Sequence, residues 1–244
     1  MHILLTRPRD QAEEMAAELK SLGHEIIVSP LLKRQILEIS ADLHGAGALV
    51  FTSLNGVTAV DGRIPEELLT VPVFAIGERT AAAAEEAGFK NLIVGPGRAR
   101  DLLPLIIGFE GEIAGPIVHI SGQDVRTDMA ALLNAAGRSA KRLTAYRMVA
   151  RSGLSHQAAS ALREGQLDAV LFFSPRSAEL FVTLMQAEGL AAGAERVVAV
   201  ALSDAVAEPL KRLQWAVIRI AARPDRRAML ELLEGKEKNR RLAP

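Results

Sequence analysis

Cysteine is absent from this chain of 244 residues, which excludes disulfides, thiolate nucleophiles and thiolate-bound metals. Aromatic residues are nearly as scarce: seven Phe, one Trp and one Tyr. A stacking platform for single-stranded nucleic acid needs more than that. Charge of one sign is missing too, since 29 Lys and Arg balance 29 Asp and Glu and no basic run precedes the C-terminal tail. Neither a nucleic-acid nor a membrane partner is expected from such a balance. No apolar run approaches the roughly 20 residues needed to span a bilayer. The run in MHILLTRPRD is too short for the core of a signal peptide. The expectation is a cytoplasmic protein with a solvated, frayed tail from about residue 235. The five histidines (His2, His24, His44, His119, His156) show no metal-ligand spacing, and only His119 lies in a predicted strand, where a core role is expected. Gly95–Leu103, GPGRARDLL, lacks both GxGxxG and the P-loop Lys-Ser/Thr pair, so nucleotide binding is not expected.

What is present is one unit written twice. ILLTRPRDQAEEMAAELKSLGHEI from Ile3 reads like IVHISGQDVRTDMAALLNAAGRSA from Ile117. Met15 aligns with Met129, Leu19 with Leu133 and Gly23 with Gly137, all at one offset. LVFTSLNGVTAV from Leu49 answers AVLFFSPRSAELF from Ala169, and VFAIGERTAAAAEEAGF from Val73 answers VVAVALSDAVAEPLKRLQW from Val197. Units of this size are too long for a solenoid and imply two lobes of similar fold. Two such lobes are expected to enclose a small-molecule cleft.

Short apolar runs alternate with helical spacing. Ile3–Thr6, Glu25–Val28, Ala48–Thr52, Val73–Ile76 and Leu92–Val94 are predicted strands, followed by Ile117–Ser121, Lys141–Tyr146, Asp168–Ser174, Val197–Val200 and Ala216–Ile220. Ala12, Met15, Leu19 and Leu22 recur at helical spacing before Gly23, and Thr80–Ala87 precedes Gly88 in the same way. This alternation predicts an α/β protein with two similar flavodoxin-like or Rossmann-like lobes, each on a parallel sheet.

In such sheets ligands sit beyond the carboxyl ends of the strands. Small polar residues stand there: Thr6-Arg7, Thr52-Ser53, Gly77-Glu78-Arg79-Thr80, Ser121-Gly122 and Ser174-Pro175. Several lead straight into helices, whose first turns present unpaired N–H groups suited to carboxylates. Each hydroxyl also reads as an ordinary helix cap. Arg7, Arg79, Arg126 and Arg176 follow strand ends, where they suit anionic groups as well as solvent.

LLTRP, FTSLNGV, AIGERTAAAAEEAG, SGQDVRTDMAALL, LTAYRMV and FFSPRSAELF come in an order and spacing that resembles the uroporphyrinogen-III synthase family. The resemblance covers nearly the whole chain. It implies two lobes joined by a two-strand hinge, with Ser29–Gln35 and Ala145–Arg151 as connectors. Lobe one would then be 1–33 plus 150–244, and lobe two 34–149. One stretch departs from the family pattern: Ala201 stands for a glycine and Asp204 for a threonine.

The resemblance implies dehydration and cyclisation of hydroxymethylbilane, with inversion of ring D through a spiro intermediate. It implies no cofactor and no metal, a monomer, and transient contact with neighbouring pathway enzymes. Tyr146, the only tyrosine, stands where the family has a tyrosine facing the cleft. A phenol is a proton donor rather than a base near neutrality, so Tyr146 is the catalytic candidate. The expected substrate-binding set is Thr6, Arg7, Thr52, Ser53, Asn55, Gly77, Thr80, Ser121, Gly122, Arg126, Ser174, Pro175 and Ser203. The alternative is a non-catalytic protein of the same fold that binds a tetrapyrrole or another small molecule.

Overall fold

The central strands form where four-residue apolar runs are covered on both faces. Ala48–Phe51 and Ala169–Phe172 are buried at every position, the pattern of central strands in a parallel sheet. The computed structural model describes residues 1–39 and 43–233; the tail expected from about residue 235 lies outside them. The chain begins β1 (His2–Leu5), α1 (Arg9–Ser21), β2 (Glu25–Val28), β3 (Leu32–Ile36), β4 (Ala48–Phe51) and α2 (Leu54–Val60). It continues through β5 (Pro72–Ala75), α3 (Glu78–Glu86), β6 (Asn91–Val94), α4 (Leu102–Ile107), β7 (Ile117–Gly122), α5 (Met129–Ala135) and β8 (Ala140–Ala150). It closes with α6 (His156–Arg163), β9 (Ala169–Phe172), α7 (Pro175–Ala187), β10 (Val198–Ala201), α8 (Asp204–Ala207), β11 (Val217–Ile220) and α9 (Arg226–Leu233).

These elements make two compact units, Met1–Lys33 with Val149–Pro244, and Arg34–Met148. The chain leaves the first unit inside β3 and returns to it inside β8. The first unit holds a sheet in the order β11-β10-β9-β1-β2, parallel throughout. The second holds β3-β8-β7-β4-β5-β6, in which the ladders from β8 to β6 are parallel. Its edge strand β3 departs from the all-parallel expectation. The Leu37 N–H bonds the Ala145 carbonyl and the Arg151 N–H bonds the Leu31 carbonyl, so β3 and β8 run antiparallel. One strand carries the chain out and the other carries it back, which requires opposite directions.

The internal repeat maps the sheets strand by strand. Ile3 pairs with Ala169, and Ile117, its repeat partner, pairs with Ala48. β1 and β2 therefore match β7 and β8, and β9, β10 and β11 match β4, β5 and β6, with the chain order permuted. Both sheets change winding direction at equivalent places, between β1 and β9 and between β4 and β7. The same register sets how the segment around Ala201 and Asp204 corresponds to the one around Gly77. Leu49 pairs with Val73, and Val170, its counterpart, pairs with Ala199. Counting on from these pairs puts Ser203 at the position of Gly77 and Asp204 at that of Glu78. Both acids stand in the first turn of a helix, where the positive end of the backbone dipole favours them. Val206 occupies the position of Thr80.

Layers of apolar side chains cover both faces of each sheet. Met15 and Leu19 on α1, and Met129 and Leu133 on α5, are fully buried against them. Gly23 and Gly137 end these helices at φ 83° and 79°. His24 N–H and Arg138 N–H close back onto the Leu19 and Leu133 carbonyls, a helix ending that requires the left-handed conformation and so favours glycine.

Candidate functional site

In the second unit the winding reversal brings the carboxyl ends of β4 and β7 side by side, the usual ligand position in open α/β sheets. Thr52 and Ser53 follow β4, and Ser121 and Gly122 end β7. Thr52 Oγ lies 3.0 Å from His119 Nε2. Ser53 Oγ lies 3.3 Å from the Tyr146 hydroxyl. Tyr146 reaches this place because β8 carries a bulge, with Thr144 opposite Ser121 but Tyr146 opposite Gly122. A bulge of this kind re-aims a side chain. The ring lies against Gly122, where an added Cβ would approach it to 2.8 Å. Tyr146 is 9% exposed, so its ring belongs to the core and its hydroxyl to the strand-end cluster.

The loop after β7 is held by a residue that the sequence reading missed. Arg142 Nε donates to Ser121 Oγ at 3.1 Å, and Nη2 donates to the carbonyls of Gly122 and Gln123 at 3.0 and 2.5 Å. Nη1 lies 3.6 Å from Asp128, whose other oxygen caps α5 by accepting from Ala131 N–H. An arginine fork on several acceptors fixes a turn in a way a lysine cannot. The available signal was an arginine inside a predicted strand opposite a Ser-Gly turn. Arg34, also missed, donates to Asn55 Oδ1 at 2.5 Å and ties the start of α2 to β3.

His119 is fully buried. Burial pushes its imidazole down to about 4, with Asp128 opposing and Arg142 reinforcing the shift. The ring is therefore neutral at physiological pH. Its Nδ1 has no hydrogen-bond partner among the described residues.

The remaining residues of the expected set fall into distinct positions. Gly77 caps α3, and its backbone runs beside that of Gly97; Thr80 is buried in the first turn of that helix. Ser121 donates to the Gly122 carbonyl while accepting from Arg142, so its hydroxyl is engaged within the loop. Arg126 is exposed. In the first unit, Thr6 is buried and donates to the Leu171 carbonyl at 3.0 Å across the winding reversal. Arg7 bonds Gln11 Oε1 and stacks 4.3 Å over the Phe173 ring. Ser174 caps α7 by accepting from Ser177 N–H, and Pro175 occupies the first turn of that helix. Ser203 stands at the start of α8, and its side chain makes no capping bond. The geometry thus brings Thr52, Ser53, Gly122 and Tyr146 into one cluster. No group of three or more His, Cys, Asp or Glu that could hold a metal occurs among the described residues. No helix among them is long and apolar enough to cross a membrane.

Comparison with known proteins adds an independent line. The family model described as uroporphyrinogen-III synthase HemD matches residues 13–231. Among solved structures, the uroporphyrinogen-III synthetase of Helicobacter pylori is 18% identical, with 97% of this chain and 99% of that chain covered and a TM-score of 0.62. A mutant uroporphyrinogen III synthase of Thermus thermophilus is 22% identical over 97% of this chain and 98% of that one, with a TM-score of 0.49. No curated protein matches the chain.

Proposed function

The chain belongs to the uroporphyrinogen-III synthase family, and from that premise we propose that the strand-end cluster of the second unit is where its reaction is controlled. The reaction is that of the family: dehydration and cyclisation of hydroxymethylbilane, with ring D inverted. Membership favours this over a non-catalytic binder of the same fold. The observation that carries the assignment of the site is the Tyr146 hydroxyl at 3.3 Å from Ser53 Oγ, beside the winding reversal.

Tyr146 donates its phenolic proton to the departing hydroxyl of the bilane, which leaves as water. The adjacent pyrrole nitrogen supplies the electron pair and keeps its hydrogen, giving an azafulvenium cation opposite the Tyr146 phenolate. Ring D attacks through its substituted carbon to give the spiro intermediate, which fragments and recloses as the type III macrocycle. The proton taken from Tyr146 is replaced when the newly bonded pyrrole carbon loses its own and aromaticity returns. Ser53 orients the phenol, and Thr52 and Asn55 bind substrate polar groups beside it. The first turn of α3 after Gly77, in the same unit, favours carboxylates, as helix starts do. Thr80, Ser121, Gly122 and Arg126 of the same unit contribute through the backbone and loops they shape or the charge they carry.

Most of the driving force lies in the electron-rich pyrroles, so the chief task is to hold a flexible chain in one geometry. Uncatalysed closure gives the type I isomer. Favouring type III a hundredfold needs only about 2.7 kcal/mol of barrier difference. We read the protein further as a cytoplasmic monomer in transient contact with neighbouring pathway enzymes. The test is a coupled assay with porphobilinogen and a porphobilinogen deaminase, followed by oxidation and separation of the uroporphyrin isomers. Mainly type III product is expected; type I alone from folded protein would overturn the reading.

A further inference from the structure

Thr52 and His119 are delivered by adjacent strands, β4 and β7, near their carboxyl ends. The Thr52 hydroxyl is half-buried, and its partner among the described residues is His119 Nε2 at 3.0 Å. Behind it the imidazole is sealed in the core, with Nδ1 facing no partner among them. Two neutral tautomers are available to such a ring. With the proton on Nδ1, a buried N–H would point at nothing, and orphaned buried donors are rarer than under-used acceptors. With the proton on Nε2, only a lone pair is left unpaired, and Nε2–H donates to Thr52 Oγ.

We propose that His119 is a positioning residue for the bilane: its Nε2–H occupies the Thr52 oxygen and leaves the Thr52 proton directed to a substrate carboxylate. A threonine hydroxyl otherwise rotates between donor and acceptor roles. With one lone pair taken from behind, the Thr52 O–H is turned toward the open side, where it favours an anionic acceptor. The proposal rests on the site assignment made above, but the state of the imidazole can be measured without reference to activity.

Two measurements test it. In full-length protein labelled with 15N-histidine, the His119 resonances, assigned by their loss in His119→Gln, should report a neutral ring protonated on Nε2 at pH 7. A ring protonated on Nδ1, or a cation, overturns the proposal. In a mutant cycle, His119→Leu and Thr52→Val should each raise KM for hydroxymethylbilane about fivefold with kcat changed less than about twofold. The double variant should be no worse than Thr52→Val alone, and His119→Gln, which keeps a donor, should restore most of the loss. Additive effects, or a loss in His119→Leu that is confined to kcat or to thermal stability, overturn it. Should His119→Leu fail to fold, His119→Gln and the resonance measurement decide. If the wild-type protein yields no type III product, the site assignment falls, while the tautomer measurement still decides whether Thr52 is held as a donor.

Discussion

The Tyr146 hydroxyl and Ser53 Oγ lie 3.3 Å apart although β4 and β8, which deliver them, are not neighbours. β7 stands between those strands, and the bulge in β8 swings the phenol across its end at Gly122. The proton on Tyr146 is thus placed by three strands at once. Tyr146→Phe is expected to slow the coupled reaction on the order of tenfold, at or below the low end for a positioned acid. Its thermal midpoint should change little, since one partly buried hydrogen bond is lost while the ring still packs. A fully active variant would remove the phenol from the mechanism.

Gly122 leaves room for that ring. An added Cβ would come within 2.8 Å of two ring carbons and 3.0 Å of the hydroxyl oxygen. Gly122→Ala should therefore displace Tyr146 and lower activity more than Tyr146→Phe does, with a stability loss of roughly 1–3 kcal/mol. Urea unfolding and the coupled assay measure the two effects. Unchanged activity would mean that the position of the ring is unimportant.

Arg142 fixes the turn after β7 through three hydrogen bonds and the pairing with Asp128. Arg142→Lys keeps the charge and loses the fork, so about 1–3 kcal/mol of stability should go with it. Asp128→Asn should cost less, because it retains an oxygen for the α5 cap and touches only one arm of the guanidinium. Equal stability of Arg142→Lys and wild type in urea would show that the turn holds itself.

His119 gives stability a pH dependence whose sign is fixed. Its pKa falls from 6.5 to about 4 on folding, so between these values the unfolded chain takes up a proton that the folded chain refuses. Stability is fully present above pH 6.5 and is lost as pH falls toward 4, by roughly 3 kcal/mol at most. In His119→Gln that part of the slope should vanish, leaving the contribution of the other groups. Parallel stability curves for the two proteins between about pH 7 and pH 5 would contradict the burial of a neutral imidazole.

Much of the fold was legible because the two units bury the same side chains at the same structural positions. Met15 and Met129, Leu19 and Leu133, and the helix-ending Gly23 and Gly137 are such pairs. Strand runs such as Ala48–Phe51 are apolar at every position, as the strands of a doubly covered sheet are. Register was less legible, because it is set by pairing with a neighbour rather than by the run itself. Hence Ser203, not Ala201, proved equivalent to Gly77. At the site, the strand-end positions of Thr52, Ser53 and Gly122 followed from alternation, and Tyr146 from the family resemblance. Arg142 and Arg34 were missed because an isolated arginine in a strand reads as solvated until its acceptors, which lie far along the chain, are known. The antiparallel edge formed by β3 likewise depends on where the chain returns, which no local pattern records.

The most direct test of the central claim, that holding the bilane rather than acid catalysis decides the product, is the isomer composition formed by Tyr146→Phe. The coupled assay would be run with enough protein to consume the bilane before spontaneous closure competes, beside the wild type. Type III should still predominate, at a reduced rate, because the strand ends that hold the chain are intact. Type I product from folded Tyr146→Phe, beside type III from the wild type, would show that the phenol itself directs the inversion and that positioning alone does not.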